Sequence, residues 1–243
     1  MATRRETDSL GPVDVPADRY WGAQTARALA GYGADQGRFP SAFIRALGLV
    51  KACAAEALVA TGGLDARRGD LIRRAADEVA AGDLDDHFPL GPWQSGSGTQ
   101  THMNANEVIA GRANELAGAG RGGREPVHPN DHVNRGQSTN DVFPTAMHVA
   151  LLAGTAGRLL PALDTLAAAL RGRAEAWAPL IKTGRTHLMD AVPLTLGQEV
   201  SGWAHQVVAA RARIAWAAAG LHELALGGTA VGTGLNAPPG YAD

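Results

Sequence analysis

The sequence predicts a mainly α protein: a bundle of long helices, preceded by a smaller mixed helical N-terminal domain. Three observations carry that prediction. Hydrophobic residues make up 45% of the 243 residues and aromatics only 5%. Ala and Leu dominate the hydrophobic fraction, and they are strong helix formers, while β-branched residues are sparse. Two long stretches near the C-terminus, about 141–177 and 193–226, read as buried helices. The first is apolar around nearly its whole circumference, which marks a helix packed between others. The expected division is residues 1–137 as the N-terminal domain and 138–243 as the first part of the bundle.

The elements follow in order. Residues 4–22, RRETDSLGPVDVPADRYWG, are polar and proline-punctuated and read as an extended arm with turns, pinned by Tyr20 and Trp21. A helix is expected over about 40–60, opened by Pro40-Ser41 and stopped by Gly62-Gly63. A second amphipathic helix runs from about Asp65 to Ala81, with Gly82 and Asp83–Asp86 ending it. The acidic run lacks the spacing and distal Glu of a calcium loop and reads as a solvated turn.

Ser95-Gly96-Ser97-Gly98-Thr99 leads into a helix starting near His102. Glycines and hydroxyls at a helix N-terminus can turn backbone N–H groups onto an anion. The lysine of a phosphate loop is missing, so an anion loop and a plain capping turn both fit. Residues 117–134 are glycine- and proline-rich and read as surface loop. His128, Asp131 and His132 stand close together there, but no third ligand partner accompanies them, and a hydrogen-bonded turn is expected rather than a metal site. Ser138-x-x-Asp141 has the capping-box pattern, with Asp in place of Glu. It opens the long helix, which Pro161 is expected to kink or split. Gly197, Gly202, Ala204 and Ala209 would allow close approach in the last helix.

Several function classes are excluded. The formal net charge of −2 gives neither a nucleic-acid footprint nor a polybasic membrane surface. Cys53 is the only cysteine, so neither an intrachain disulfide nor a cysteine zinc cluster can form, which fits a reducing, cytoplasmic setting. The charged start, Met1-Ala-Thr-Arg-Arg-Glu-Thr, is not a secretory signal. No run of about 18 uninterrupted apolar residues suggests a membrane span.

Lys182–Glu199, KTGRTHLMDAVPLTLGQE, stands apart. It carries Thr186-His187 on a short polar segment before a long helix expected to open at Pro193. An imidazole with an ordinary pKa of about 6.5 can serve as acid or base near neutrality. Taken alone, the stretch reads rather as an ordinary turn, its histidine bonded to a backbone carbonyl.

Three blocks together alter that reading. SGSGTQTHMNANEV (95–108), VHPNDHVNRGQSTNDVFPTAMHVA (127–150) and KTGRTHLMDAVPLTLGQEVSGW (182–203) closely resemble the class II branch of the fumarase/aspartase family. RRETDSLGPVDVPADRYWGAQT and LALGGTAVGTGLNAPPGYAD match it too, so the resemblance covers essentially the whole chain. It implies a long-helix fold assembled as a homotetramer, with each active site composed from three subunits. It implies no cofactor and no metal. Ser97, Gly98 and Thr99 match a carboxylate-binding loop; Ser138, Thr139 and Asn140 match a second carboxylate turn. Thr186 and His187 match the substrate-contacting and acid/base pair, and His128, Pro129, Asn130 and Asp131 match a secondary anion site. His187 favours fumarases, because aspartases have Gln there.

The implied reaction is reversible anti addition of water to fumarate, giving (S)-malate, with His187 activating the water. Aspartate ammonia-lyase, and a non-catalytic helical assembly, are the competing readings. The family's serine-bearing GSSxMPxKxNP loop is not found in these 243 residues, so the chain is expected to be an incomplete portion, inactive by itself. Two positions depart from the pattern: His102 stands where fumarases usually have Asn, and Gly136 where they usually have Ser.

Overall fold

The structure, a computed structural model, describes residues 2–33 and 37–242. It is mainly α, as expected. Its contacts fall into two compact units, residues 1–150 with 224–243, and residues 151–223. This division differs from a boundary at 137/138. The first turns of the long helix pack into the N-terminal unit, and the C-terminal residues return to it.

In the first unit, the expected extended arm is an antiparallel hairpin. Strands β1 (Thr3–Asp8) and β2 (Gly11–Pro16) pair from Thr3 opposite Pro16 to Asp8 opposite Gly11. Helix α1 (Ala23–Tyr32) follows, where no helix was expected. Its N-terminus is capped from a distance. The buried Glu107 carboxylate accepts from the N–H groups of Gly22, Gln24 and Thr25 at 2.8–3.0 Å and from the Thr25 hydroxyl at 2.6 Å. A cap supplied 82 or more residues downstream leaves no local trace in the sequence.

Helices α2 (Ser41–Ala60) and α3 (Ala66–Ala81) fall where the periodicity places them. Asp65 caps α3 by accepting from Arg68 N–H, and Gly82 ends it in the left-handed conformation at φ 92°. Leu47, Leu58, Ile72, Val79 and Ile109 are fully buried and centre the core among α2, α3 and α4 (Thr99–Leu116). The acidic run folds as a short 3₁₀ turn, Asp85–His87. Among the described residues no cluster of His, Cys, Asp and Glu could hold a metal.

The long helix is continuous over 38 residues, Thr139–Ala176. Pro161 does not split it. A five-residue π-helical segment, Thr155–Leu159, joins α5 (Thr139–Gly154) to α6 (Leu160–Ala176) just before the proline. The wider turn accommodates a residue that lacks an N–H and crowds the carbonyl four positions back. An 18-residue window of this helix has mean hydropathy 1.3. By length and composition alone, then, one helix could cross a membrane, where the sequence reading found none. Only 6% of that window is buried.

The second unit packs α6 along α7 (Leu196–Ala218), with a hairpin of β3 (Ile181–Thr186) and β4 (Met189–Thr195) between them in sequence. The last helix therefore opens at Leu196, not Pro193. Pro193 lies in β4 opposite Thr183, and Thr195 starts α7 with a capping box to Gln198. Gly197 sits in close contact with α6: a Cβ there would lie 2.4 Å from Ala174 O. Gly202 and Ala209 play no such part; Gly202 faces open space and Ala209 is only half-buried. Arg211 and Asp164 tie the helices through two contacts of 2.6 and 2.9 Å. Burial is sparse. Only Ala167 in α6 and Gly197, Val200 and Ala204 in α7 are buried, while Trp203 and Trp216 are 49% and 82% exposed. The helices expected to be buried leave their apolar faces uncovered within one chain.

Candidate active site

Two helix N-termini meet in the first unit. Gly98 holds φ 76° directly before α4 and has no side chain of its own to cap it. Gln94 Oε1 takes the Thr101 N–H at 2.9 Å. The Ser97 and Thr99 hydroxyls lie 2.9 Å apart at the surface of this turn. Only glycine fits at 98: a Cβ would come 2.3 Å from a ring carbon of Phe143 on α5. The first turn of α4 thus rests directly against the first turns of α5.

The start of α5 carries the cap expected from the sequence in part: the Asp141 carboxylate reaches back to residue 138 as a capping box requires, while the Ser138 hydroxyl takes the second helical N–H rather than the third. Ser138 Oγ accepts from Asn140 N–H at 3.2 Å, and Asp141 Oδ1 accepts from Ser138 N–H at 2.9 Å. The structure adds a second duty for the buried Asp141. Its other oxygen accepts from Gly227 and Thr229 N–H at 3.2 and 2.9 Å, and Asn140 Nδ2 donates to Ala230 O at 2.8 Å. The glycine-rich C-terminal residues are thereby fixed onto the head of α5.

Behind these two turns lies a buried polar relay. His102 Nδ1 is 2.8 Å from Thr139 Oγ1, and His102 Nε2 is 2.8 Å from Lys51 Nζ. Lys51 also donates to Gln137 Oε1 at 2.8 Å and Asn134 Oδ1 at 3.3 Å. Burial pushes the pKa of both Lys51 and His102 well below the usual range for their types, and the Asp141 charge acts in the opposite sense on Lys51. Sequence reading missed Lys51. The available signal was a lysine on the apolar face of α2, four residues after Leu47 and seven before Leu58.

His128, Pro129, Asn130 and Asp131 form a separate turn. His128 Nδ1 accepts from Asn130 and Asp131 N–H at 3.2 and 3.1 Å, capping the π-helical segment Pro129–Val133. His132 does not join His128 as a ligand; its Nδ1 accepts from His128 N–H at 2.8 Å. A cleft of about 720 Å³ has Thr99, Gln100 and Met103 of α4 on its wall together with Arg27, Arg124 and His128. Thr99 therefore belongs both to the Ser95–Thr99 turn and to the cleft that His128 and Asn130 line.

Thr186 and His187 belong to the second unit. The strand pair ends at Thr186 opposite Met189, so His187 and Leu188 form a two-residue hairpin loop. Both have positive φ, 52° and 62°, the geometry of a type I′ turn. Neither residue is the usual Asn or Gly. Leu188 is 99% exposed and His187 is exposed beside it. Such backbone strain persists only where the surroundings impose it, and it concentrates at functional sites.

Residues 11–243 match a protein family described as Lyase. The chain belongs to this lyase family. It is 58% identical to a class II fumarate hydratase of Thermosynechococcus vestitus over 99% of the chain and 52% of that protein. It is 57% identical to fumarate hydratase class II 2 of Bradyrhizobium diazoefficiens over 99% of the chain and 51% of that protein. Among solved structures, a class II fumarase from Schistosoma mansoni superposes with a TM-score of 0.94 at 44% identity, covering 99% of this chain and 50% of that one. A fumarate lyase:delta crystallin from Brucella melitensis bound to cobalt gives the same TM-score and identity, covering 53% of that chain. The chain spans about half the length of the curated relatives it matches. The fumarase/aspartase resemblance is thus borne out in fold and in family.

Proposed function

We propose that the protein carrying this chain is a fumarate hydratase, catalysing reversible anti addition of water to fumarate to give (S)-malate. The observation that carries this reading is the pairing of two donor-rich helix N-termini, at Ser97–Thr99 and at Ser138–Asn140. Each supplies hydroxyl and amide donors and the positive end of a helix dipole. A dicarboxylate needs such a cradle at each end. The names of the relatives agree with it.

In this reading Ser97, Gly98 and Thr99 bind one carboxylate, and Ser138, Thr139 and Asn140 bind the other. His187 acts as general base on water in hydration and as general acid on the departing hydroxyl in reverse, with Thr186 contacting substrate beside it. Charge develops on the carboxylate next to the carbon that loses its proton. Preorganised donors stabilise that charge without reorganising. His128, Pro129, Asn130 and Asp131 form a secondary anion site. The exposed apolar faces of α6 and α7 support a homotetramer whose long helices cover one another, because contiguous exposed apolar faces mark interaction surfaces. The same packing accounts for the apolar window of the 38-residue helix in a cytoplasmic protein.

To test this, residues 1–243 are co-expressed with the complementary half of the Thermosynechococcus vestitus enzyme. The complemented protein is assayed by fumarate absorbance. Interconversion of fumarate and (S)-malate is expected, lost in His187→Asn, with no turnover by residues 1–243 alone. Fumarate released from L-aspartate but not from (S)-malate would overturn the hydratase reading.

A further inference from the structure

We propose that the buried Lys51–His102 pair is a positioning device for Thr139: with Lys51 as an ammonium, it turns the Thr139 O–H outward as a donor to a bound carboxylate. The inference rests on the reading of Thr139 as part of a carboxylate-binding turn.

The argument is a donor count. Gln137 Nε2 donates to Val133 O and Arg135 O at 3.1 Å each, which fixes Gln137 Oε1 as the end facing Lys51. Asn134 presents an oxygen as well. Lys51 Nζ therefore donates twice, at 2.8 and 3.3 Å, and its third contact is His102 Nε2 at 2.8 Å. An ammonium has a third N–H and donates it to a bare Nε2. The imidazole hydrogen is then on Nδ1, which donates to Thr139 Oγ1 at 2.8 Å. The Thr139 oxygen is already an acceptor, so its own hydrogen is free to turn away from His102.

A neutral amine reverses the chain. It has two N–H groups, both committed to the amides, and a lone pair that accepts from Nε2–H. Nδ1 is then bare and draws the Thr139 hydrogen inward. Both arrangements satisfy every member of the relay, so one proton on Lys51 decides the polarity of a hydroxyl on another helix. Only the first leaves Thr139 able to donate to a carboxylate.

The charged or titratable groups bearing on Lys51 are His102 from α4 and Asp141 from α5. Asn134 and Gln137 are neutral. Tyr241, which burial first and then Asp141 and Cys53 keep protonated to high pH, adds no charge. Burial favours the amine, and Asp141 favours the ammonium. A carboxylate arriving at Thr139 adds a second negative charge on the ammonium side. Protonation of Lys51 and anion binding are therefore linked and mutually favourable. A plug that only filled the core would work equally well in either polarity.

The experiment uses the complemented protein with succinate, a dicarboxylate that cannot be hydrated. Ring ¹⁵N spectra with succinate bound should show His102 protonated on Nδ1 and bare on Nε2, with the signal assigned by its loss in His102→Asn. Succinate affinity should fall about tenfold per pH unit above the Lys51 pKa. Lys51→Met should bind succinate at least about tenfold more weakly, as expected for one lost hydrogen bond to a charged acceptor, and its affinity should be flat over that range. If Lys51→Met does not fold, the wild-type spectrum and pH profile still decide. An Nε2–H imidazole in the succinate complex overturns the proposal, as does Lys51→Met binding within twofold of wild type. Failure of wild type to bind succinate, with His102 on Nδ1, instead overturns the carboxylate reading and takes this role with it.

Discussion

Replacing Gly98 by alanine tests the contact on which the paired helix N-termini depend. Two separate costs are expected. The first is backbone: Gly98 holds φ 76°, and an L-residue pays roughly 1–2 kcal/mol in the left-handed region. The second is packing: the new Cβ would lie 2.3 Å from Phe143 Cε2 and 2.6 Å from two further ring carbons. Overpacking of this kind costs about 1–3 kcal/mol. The ring cannot simply swing away, because Phe143 packs on Phe43 at 4.7 Å between centroids and on Phe39 at 5.9 Å. The sum is roughly 2–5 kcal/mol, measured as a lower urea midpoint. A double-mutant cycle with Phe143→Leu separates the two costs. The smaller side chain should recover the packing share in the Gly98→Ala background and leave the backbone share in place. Gly98→Ala within about 0.5 kcal/mol of wild type would refute the reasoning, as would the absence of any coupling to position 143.

Three further outcomes follow from the same geometry. Asp141→Asn should cost roughly 2–4 kcal/mol, because an amide cannot accept on both sides from the three N–H groups that Asp141 serves; limited proteolysis should then cut residues 224–243 faster. Leu188→Gly should stabilise the hairpin by about 1 kcal/mol, since φ 62° suits glycine and the fully exposed side chain gives up nothing; a drop in melting temperature would contradict the I′ geometry. His87 Nδ1 accepts from Tyr20 N–H at 3.1 Å, and burial, then Arg19 and Arg121, hold its pKa at about 4. The unfolded imidazole takes its proton near 6.5, so this contribution is complete above about 6.5 and lost as pH falls toward 4. Urea midpoints across that window should show the slope, and His87→Asn should flatten it.

What the sequence made legible was local. α3 was readable because its caps, Asp65 and Gly82, lie at its ends. The Ser138–Asp141 box was readable for the same reason. α4 began three residues earlier than expected because Gly98 starts it through its backbone conformation and the side chain that serves its first turn, Gln94, stands outside the usual N-cap position. The hairpin β1–β2 went unseen since its strands are polar and proline-bounded, and α1 since its cap is Glu107, far along the chain. The loop at His187–Leu188 lacks the Asn-Gly signature that normally announces a two-residue turn. Lys51, His102 and Thr139 are separated by 51 and 37 positions, and only the packed core brings them to 2.8 Å.

The two halves of the proposed site therefore differ in kind. The proposed carboxylate cradle is an internal product of the first unit: helix N-termini, a glycine required by both a left-handed φ and the Phe143 ring, and a relay buried behind them. The proposed acid/base residue, His187, sits instead in a positive-φ turn at the exposed tip of a two-stranded ribbon. A histidine so placed has few local contacts to fix its ring. General acid–base catalysis needs that ring within hydrogen-bond reach of the reacting water. Under that proposal, the orientation comes from a neighbouring subunit packed against the tip. The uncovered faces of Trp203 and Trp216 in the same unit point the same way: this part of the chain is shaped to be completed by contact. Mutations at the tip should accordingly alter turnover more than stability, while those in the cradle should alter both together.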